Sequence, residues 1–266
     1  MIAIENLSFA YSKFKVLDNI STTFEQGKIY GLLGSNGVGK STMFKLLCGL
    51  LTTKEGTISI DGCTPHGRKP SFLSKIFYVP EDFEGPAISI KNYAAGVAQF
   101  YPNYDAGLFA RLLEDFEIDV TRKFTSLSLG QRKRAILALA LAVRTDYLFL
   151  DEPTNGLDIP SKAEFRKMVA AAMDEKRTII ISTHQVKDVE NLLDHIMILD
   201  RQAVLLDKSV SDIQKEFRFD ISPTAPADAL YVEPGLGGCC SISRNTAGEE
   251  SRINIELLFN YINYKK

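Results

Sequence analysis

The chain lacks any apolar run long enough to cross a bilayer. Its longest, Ala135 to Val143, has nine residues between Arg134 and Arg144, against the roughly 20 that a helical span requires. It also lacks a basic opening followed by an apolar stretch, so no signal peptide is read and the cytosol is the expected compartment. Cysteine is scarce: Cys48, Cys63, Cys239 and Cys240 are too few and too irregular for a disulfide framework. Adjacent Cys239 and Cys240 suggest metal or redox chemistry, but no second Cys or His pair has zinc-site spacing, and reduced thiols are expected. A basic excess is missing too. Lys plus Arg number 31 against 33 Asp plus Glu, for a net charge of −2, so no nucleic-acid partner is expected. There is no internal repeat and no low-complexity tract. With 45% hydrophobic and 24% charged residues, wholesale disorder, collagen and a coiled-coil rod are excluded.

What is present is an alternation of strands and helices. The 266 residues exceed a usual domain of about 100–200, which predicts one large domain with an appendage. Strands are read at 2–9, 19–25, 28–33, 57–62, 75–80, 147–153 and 178–183. Helices are read at 43–50, over 88–119 with a break at Pro102, at 129–143, 160–176 and 186–195. Residues 196–207 read as a hairpin turning at Asp200-Arg201-Gln202. Short continuous apolar strands between helices predict a parallel sheet covered on both faces. The helical middle section, about 82–144, reads as a lobe inserted between sheet strands. From about residue 208 the pattern weakens, through the Pro- and Ala-rich stretch 221–229 and GLGG at 235–238, to a closing helix at 253–262. Residues 207–266 are therefore expected to form a small accessory unit, and 1–206 the main domain.

Gly34-Ser35-Asn36-Gly37-Val38-Gly39-Lys40-Ser41 fits the pattern G-x-x-x-x-G-K-[ST]. Glycines let backbone N–H groups curl around a phosphate with no Cβ in the way. The helix that follows directs its positive dipole end at the anion. Lys40 is expected to reach the β- and γ-phosphates, and the Ser41 hydroxyl to ligate Mg²⁺, which prefers hard oxygen donors. Thr42 completes the loop. The loop follows a strand and opens a helix, the context the motif demands.

Asp151 and Glu152 come at the end of the apolar strand YLFLDEP, where open α/β sheets bind ligands. Alone, two acids at a strand end are weak evidence, because acids are common in turns. Beside the phosphate loop, Asp151 is expected to hold Mg²⁺ and Glu152 to polarise the attacking water as general base. Leu127-Ser128-Leu129-Gly130-Gln131 opens the long helix 23 residues before Asp151. Ser128 is a good N-cap, and Gly130 permits close backbone approach. The chain thus has two phosphate-seeking helix N-termini.

With these motifs in this order, and with His184 beyond the strand IIIST, residues 1–206 resemble the nucleotide-binding ATPase subunit of an ABC transporter. The resemblance implies a P-loop NTPase (RecA-like) α/β fold: a parallel-sheet core, an antiparallel N-terminal β subdomain, an inserted α-helical subdomain and a small C-terminal extension. It implies ATP and Mg²⁺ as ligands and head-to-tail pairing with a second ATPase subunit. In that pairing, Leu127 to Gln131 of one copy close on ATP held by the other. Tyr11 stands where an aromatic residue stacks on adenine; a half-buried strand-end tyrosine is the plain alternative. Asp158, in Asn155-Gly156-Leu157-Asp158, matches the acid of the loop that crosses the interface. His184 matches the histidine that contacts the γ-phosphate. His66 and His195 match nothing.

Two positions depart from the family pattern. Leu129 replaces a glycine of the signature. Glu81, in Tyr78-Val79-Pro80-Glu81, stands where the family usually has a glutamine that contacts Mg²⁺. A carboxylate there can ligate the ion and adds negative charge near the γ-phosphate. The following segment is the family's docking surface for the membrane subunit. Phe83, Tyr93, Phe100, Tyr101 and Tyr104 suit an interface and equally suit the core of the helical lobe. The expected function is ATP hydrolysis driving export through a separate integral membrane permease, at the inner face of the cell membrane. A soluble ABC-type ATPase acting on a non-membrane partner is the rival. Its ribosome-acting forms usually carry two ATPase halves, and its DNA-repair forms carry a long coiled coil that is absent here. A module that binds ATP without turnover is the third reading. A small GTPase is excluded by the missing Asn-Lys-x-Asp reader.

Overall fold

The computed structural model describes residues 1–200, 202–235, 237–246, 248 and 251–264. Arg201 of the expected 200–202 turn and Leu236 of GLGG therefore lie outside the described residues. Three sheets organise the chain. Strands β1 (Ile2–Tyr11), β2 (Phe14–Phe24) and β4 (Glu55–Ile60) form an antiparallel sheet in the order β2-β1-β4. The second sheet has six strands. β3 (Ile29–Leu33), β5 (Ile76–Val79), β6 (Tyr147–Asp151), β7 (Thr178–Thr183), β8 (His195–Asp200) and β9 (Ala203–Ser209) lie in the order β5-β6-β7-β3-β8-β9. All neighbours are parallel except the β8–β9 hairpin. The residues of β3, β6 and β7 are all buried, which is why these strands read as unbroken apolar runs.

Helices cover this sheet on both sides. α1 (Lys40–Leu47) and the short α2 (Pro70–Leu73) pack with the antiparallel sheet over Tyr30, Tyr147, Phe149 and Met197. α3 (Ile90–Ala98), α4 (Ala106–Asp115) and α5 (Leu129–Ala142) make the helical lobe, with Pro102 in the gap between α3 and α4. Proline cannot donate a helical bond, and the break falls there. α6 (Ile159–Ala171) follows β6 and is shorter than the sequence suggests. It stops because Asp174 turns the chain, accepting from the N–H groups of Lys176 and Arg177, while Arg177 donates to carbonyls of Ala140, Leu141 and Ala172. The expected helix at 186–195 is absent. Two 3₁₀ turns, Val186–Asp188 and Glu190–Leu192, stand in its place. Val186, Val189 and Leu193 must all reach the core, and the tighter winding serves that.

Beyond β9 lie α7 (Val210–Glu216), then β10 (Phe217–Ser222), β11 (Ala229–Gly235) and β12 (Gly238–Arg244), an antiparallel sheet in the order β10-β12-β11, and finally α8 (Ile255–Tyr264). The three strands escaped the sequence reading because Pro234, Gly235 and adjacent cysteines mask their alternation. The apolar cluster that holds β6 and β7 runs on through Val186 and Val189 into Ile213, Phe217, Ile242, Leu258 and Tyr261. Cys239 and Cys240 are successive strand residues, so their side chains leave opposite faces of the sheet. The aromatic residues of the helical lobe divide. Phe83 and Tyr93 both pack on Phe124, Tyr101 stacks on Phe77, and Tyr104 lies on Phe109, whereas Phe100 is 68% exposed. No helix of the described residues is long and apolar enough to cross a membrane.

Candidate functional site

Four neighbouring strands bring the site together. β3 runs into the loop 34–39 and α1. β5 leads to Glu81, β6 ends at Asp151 and Glu152, and β7 leads to His184. The loop is shaped by its glycines. Gly39 is left-handed at φ 111°, and a Cβ there would meet Leu17 Cδ2 at 2.8 Å. A Cβ on Gly34 would meet the Leu199 carbonyl oxygen at 2.4 Å. Gly39 gives α1 no side-chain cap, and the first helical bond runs from Met43 N–H to Gly39 O. The N–H groups of Lys40, Ser41 and Thr42 thus face outward from the helix start without intrahelical partners. Ser35, Asn36 and Gly37 are exposed, and Val38 is half-buried. Lys40, buried, donates from Nζ to the carbonyls of Gly34 (2.8 Å) and Ser35 (3.2 Å) and lies 3.4 Å from Glu152 Oε1.

Asp151 and Glu152 are both buried, and their surroundings differ. Asp151 accepts from the Tyr78 hydroxyl at 3.0 Å and from the Ser182 hydroxyl. Burial, followed by the charge of Asp151, pushes the Tyr78 phenol up, so it stays a donor. Glu152 has left the strand with φ 45°, a conformation L residues seldom adopt. Its N–H donates to Ser182 O at 3.0 Å and approaches Ser182 Oγ at 3.2 Å. Its carboxylate meets three groups: Lys40, His184 Nδ1 at 2.8 Å and the His184 backbone N–H at 3.4 Å. With Nδ1–H donating, His184 Nε2 has no protein partner among the described residues.

Around this centre the other sequence-predicted residues fall as follows. Tyr11, 43% exposed, lies against Phe9 edge-on and 3.5 Å from the Thr42 hydroxyl. Glu81 accepts from Asn155 Nδ2 at 2.9 Å, and Asn155 Oδ1 accepts from Gln185 at 3.0 Å. Leu127 is buried, while Ser128 and Leu129 are exposed. Ser128 caps α5 in a reciprocal box with Gln131. A Cβ on Gly130 would stand 3.6 Å from Gly156 O, an ordinary contact. Asp158 caps α6, accepting from Ser161 N–H at 2.9 Å; hydrogen bonding by the Ser161 side chain, followed by that N–H, lowers its carboxyl from the ordinary value. His66 and His195 lie elsewhere, bonded to Thr52 and Asp207.

Sequence reasoning missed Tyr78, Ser182 and Lys133. Lys133, on α5, is buried and donates to the backbone carbonyl of Glu152 at 3.2 Å; burial lowers its pKa from the ordinary lysine value. A lysine two positions ahead of the apolar run Ala135 to Val143 was the available signal. Among the described residues, no cluster of three or more His, Cys, Asp or Glu side chains is arranged to hold a metal.

A glycine loop joining a parallel strand to a helix, with an acidic pair at the end of the next strand but one, defines a P-loop ATPase. A family model described as ABC transporter matches residues 17–155. The ATP-binding protein YtrB of Bacillus subtilis is 31% identical over 221 residues, covering 82% of this chain and 75% of that protein. The lantibiotic transport ATP-binding protein SrtF of Streptococcus pyogenes is 31% identical over 215 residues, covering 78% and 90%. A solved structure of an ATP-binding subunit of an ABC transporter superposes with a TM-score of 0.72 at 23% identity, over 80% of this chain and 91% of that one, and shows the same fold. The chain belongs to the ABC transporter family, as its ATP-binding, ATP-hydrolysing subunit.

Proposed function

We propose that the chain binds ATP with Mg²⁺ at the start of α1, hydrolyses it with Glu152 as general base, and drives export through a separate membrane permease at the inner face of the cell membrane. The meeting of Lys40, Glu152 and His184 at the ends of adjacent strands carries this reading. Lys40 exchanges the loop carbonyls for β- and γ-phosphate oxygens, which the free N–H groups of α1 also receive. Tyr11, beside Thr42, stacks on adenine. Glu152 accepts a proton from the attacking water, and His184 Nε2 turns to the γ-phosphate. Ser41, Asp151 and Glu81 offer hard oxygen donors, which fit Mg²⁺. When bound, that ion neutralises phosphate charge. Both Asp151 oxygens accept hydroxyl protons, which orients the carboxylate that would hold the ion, directly or through water.

The signature segment Leu127 to Gln131 acts on the nucleotide of a second copy. The exposure of Ser128 and Leu129, and the room beside Gly130 within its own chain, support that reading; Asp158 lies at the same interface. Residues 1–206, with the helical part at 82–144, form the ATPase domain, and 207–266 an accessory unit. A cavity of about 680 Å³ between the helical lobe and β5, lined by Cys48, Leu50, Tyr93, Val97, Phe100 and Tyr101, is where the permease docks. Glu152→Gln should bind ATP, stop turnover and accumulate a dimer by light scattering. Pulled from detergent-solubilised host membranes with ATP, it should bring down a multi-span protein. A monomer with ATP would sink the composite site, and only soluble partners would overturn the transport reading.

A further inference from the structure

Lys133 is an ammonium in an apolar place. It sits on α5 five residues after Ser128 and is 6% exposed, beside a narrow cavity lined by Val79, Pro80, Phe83, Ile136 and Pro153, with Asp151 as its one carboxylate. Its one hydrogen bond among the described residues goes to the carbonyl of Glu152, at 3.2 Å. A buried ammonium is costly unless opposite charge balances it. The charges acting on it most are carboxylates, Glu81 first, then Asp82, Glu152 and Asp151. Glu81 is the carboxylate that replaces the family's glutamine, and its side chain accepts from Asn155 Nδ2.

Two consequences follow from this placement. First, the peptide groups on both sides of Glu152 are pinned. Its N–H is fixed by Ser182 on β7, and its carbonyl by Lys133 on α5. That pair of anchors holds the left-handed backbone that turns the carboxylate toward Lys40 and His184. Second, an extra carboxylate at Glu81 adds negative charge to the strand ends that carry Asp151 and Glu152, and Lys133, on the helix that begins with the signature, is a buried cation on which these carboxylates act. We propose that Lys133 is a positioning residue for ATP hydrolysis, which fixes the Glu152 peptide and balances the charge of Glu81, so that α5 and the catalytic glutamate move as one piece. The proposal rests on Glu152 being the general base.

The test uses the purified full chain with ATP and Mg²⁺, reading turnover and nucleotide affinity separately. Lys133→Met should lower kcat about 10–100-fold while the ATP Kd stays within about threefold. Lys133→Arg, which keeps charge and donor, should recover most of that loss. Lys133→Met/Glu81→Gln should turn over at least about fivefold faster than Lys133→Met, because the unbalanced carboxylate is gone. Lys133→Gln, which keeps a donor and fits the same space, reads the charge alone if the methionine variant folds poorly, and Glu81→Gln should rescue it in the same way. Wild-type kcat in Lys133→Met, or losses that simply multiply in both double variants, would overturn the proposal. Glu152→Gln run alongside separates the two ideas: a fully active Glu152→Gln removes the base assignment itself, whereas an inactive one beside an active Lys133→Met removes only the role of Lys133.

Discussion

Lys40 and Glu152 are buried side by side, 3.4 Å apart, so removing either leaves the other without its partner. Lys40→Ala removes a charge-assisted donor worth about 1.5–3 kcal/mol. It should weaken ATP about 10–100-fold by titration calorimetry, and equal affinity would refute the phosphate-loop assignment. Glu152→Gln should reduce turnover about 10²–10⁴-fold with ATP binding retained. Residue chemistry also sets an acid limit. Burial raises the Asp174 carboxyl, but the N–H groups of Lys176 and Arg177 outweigh it and hold it below its ordinary value. A carboxyl lowered on folding stabilises above the unfolded pKa of about 3.9 and loses that contribution as pH falls through the folded value. Melting temperature should therefore decline below about pH 4, and Asp174→Asn should flatten part of the decline. An unchanged acid slope in that variant would remove Asp174 from the account. At this scale the sequence was most legible where a motif fixes identity and spacing together, as for Lys40, Asp151 and His184. It was least legible for Tyr78, Ser182 and Lys133, whose partners lie on other strands or helices.

Among the elements, the loop between β3 and α1 is the least tolerant. Gly39→Ala meets both the cost of a left-handed backbone and a contact at 2.8 Å with Leu17. It should lower the melting temperature and weaken nucleotide binding together; a variant as stable as wild type would show that the loop relaxes. Ser128→Ala removes one half of the box that opens α5 and should cost about 0.5–2 kcal/mol of stability by denaturant unfolding. The strands of the parallel sheet were readable because burial on both faces makes them continuously apolar. The segment 186–195 was misread because its apolar spacing suits one helix, while Asp194, accepting from Ile29 N–H, and the start of β8 at His195 leave only two tight turns. Strands β10 to β12 were unreadable because their pairing, not their composition, makes them a sheet.

For the whole molecule, the C-terminal unit is joined to the rest by more than a linker. α8 meets the turns after His184 through Glu190, which accepts from Ile255 N–H, and through the Lys187–Glu256 pair, and just before α8 Arg252 donates to Asn191. Ending the chain after Asp207 would uncover Val186 and Val189. The truncated protein should melt earlier and bind more of a hydrophobic dye. A melting curve unchanged by the truncation would mean that the unit is a passenger.

The order β5-β6-β7-β3 has one more consequence, which concerns measurement of length. Glu81, Glu152, His184 and Lys40 hang from four consecutive strands spaced about 4.8 Å apart. The width of the site is thus ruled by rungs of backbone hydrogen bonds, a gauge that does not stretch. A ligand of the wrong length meets a fixed jaw rather than an adjustable one.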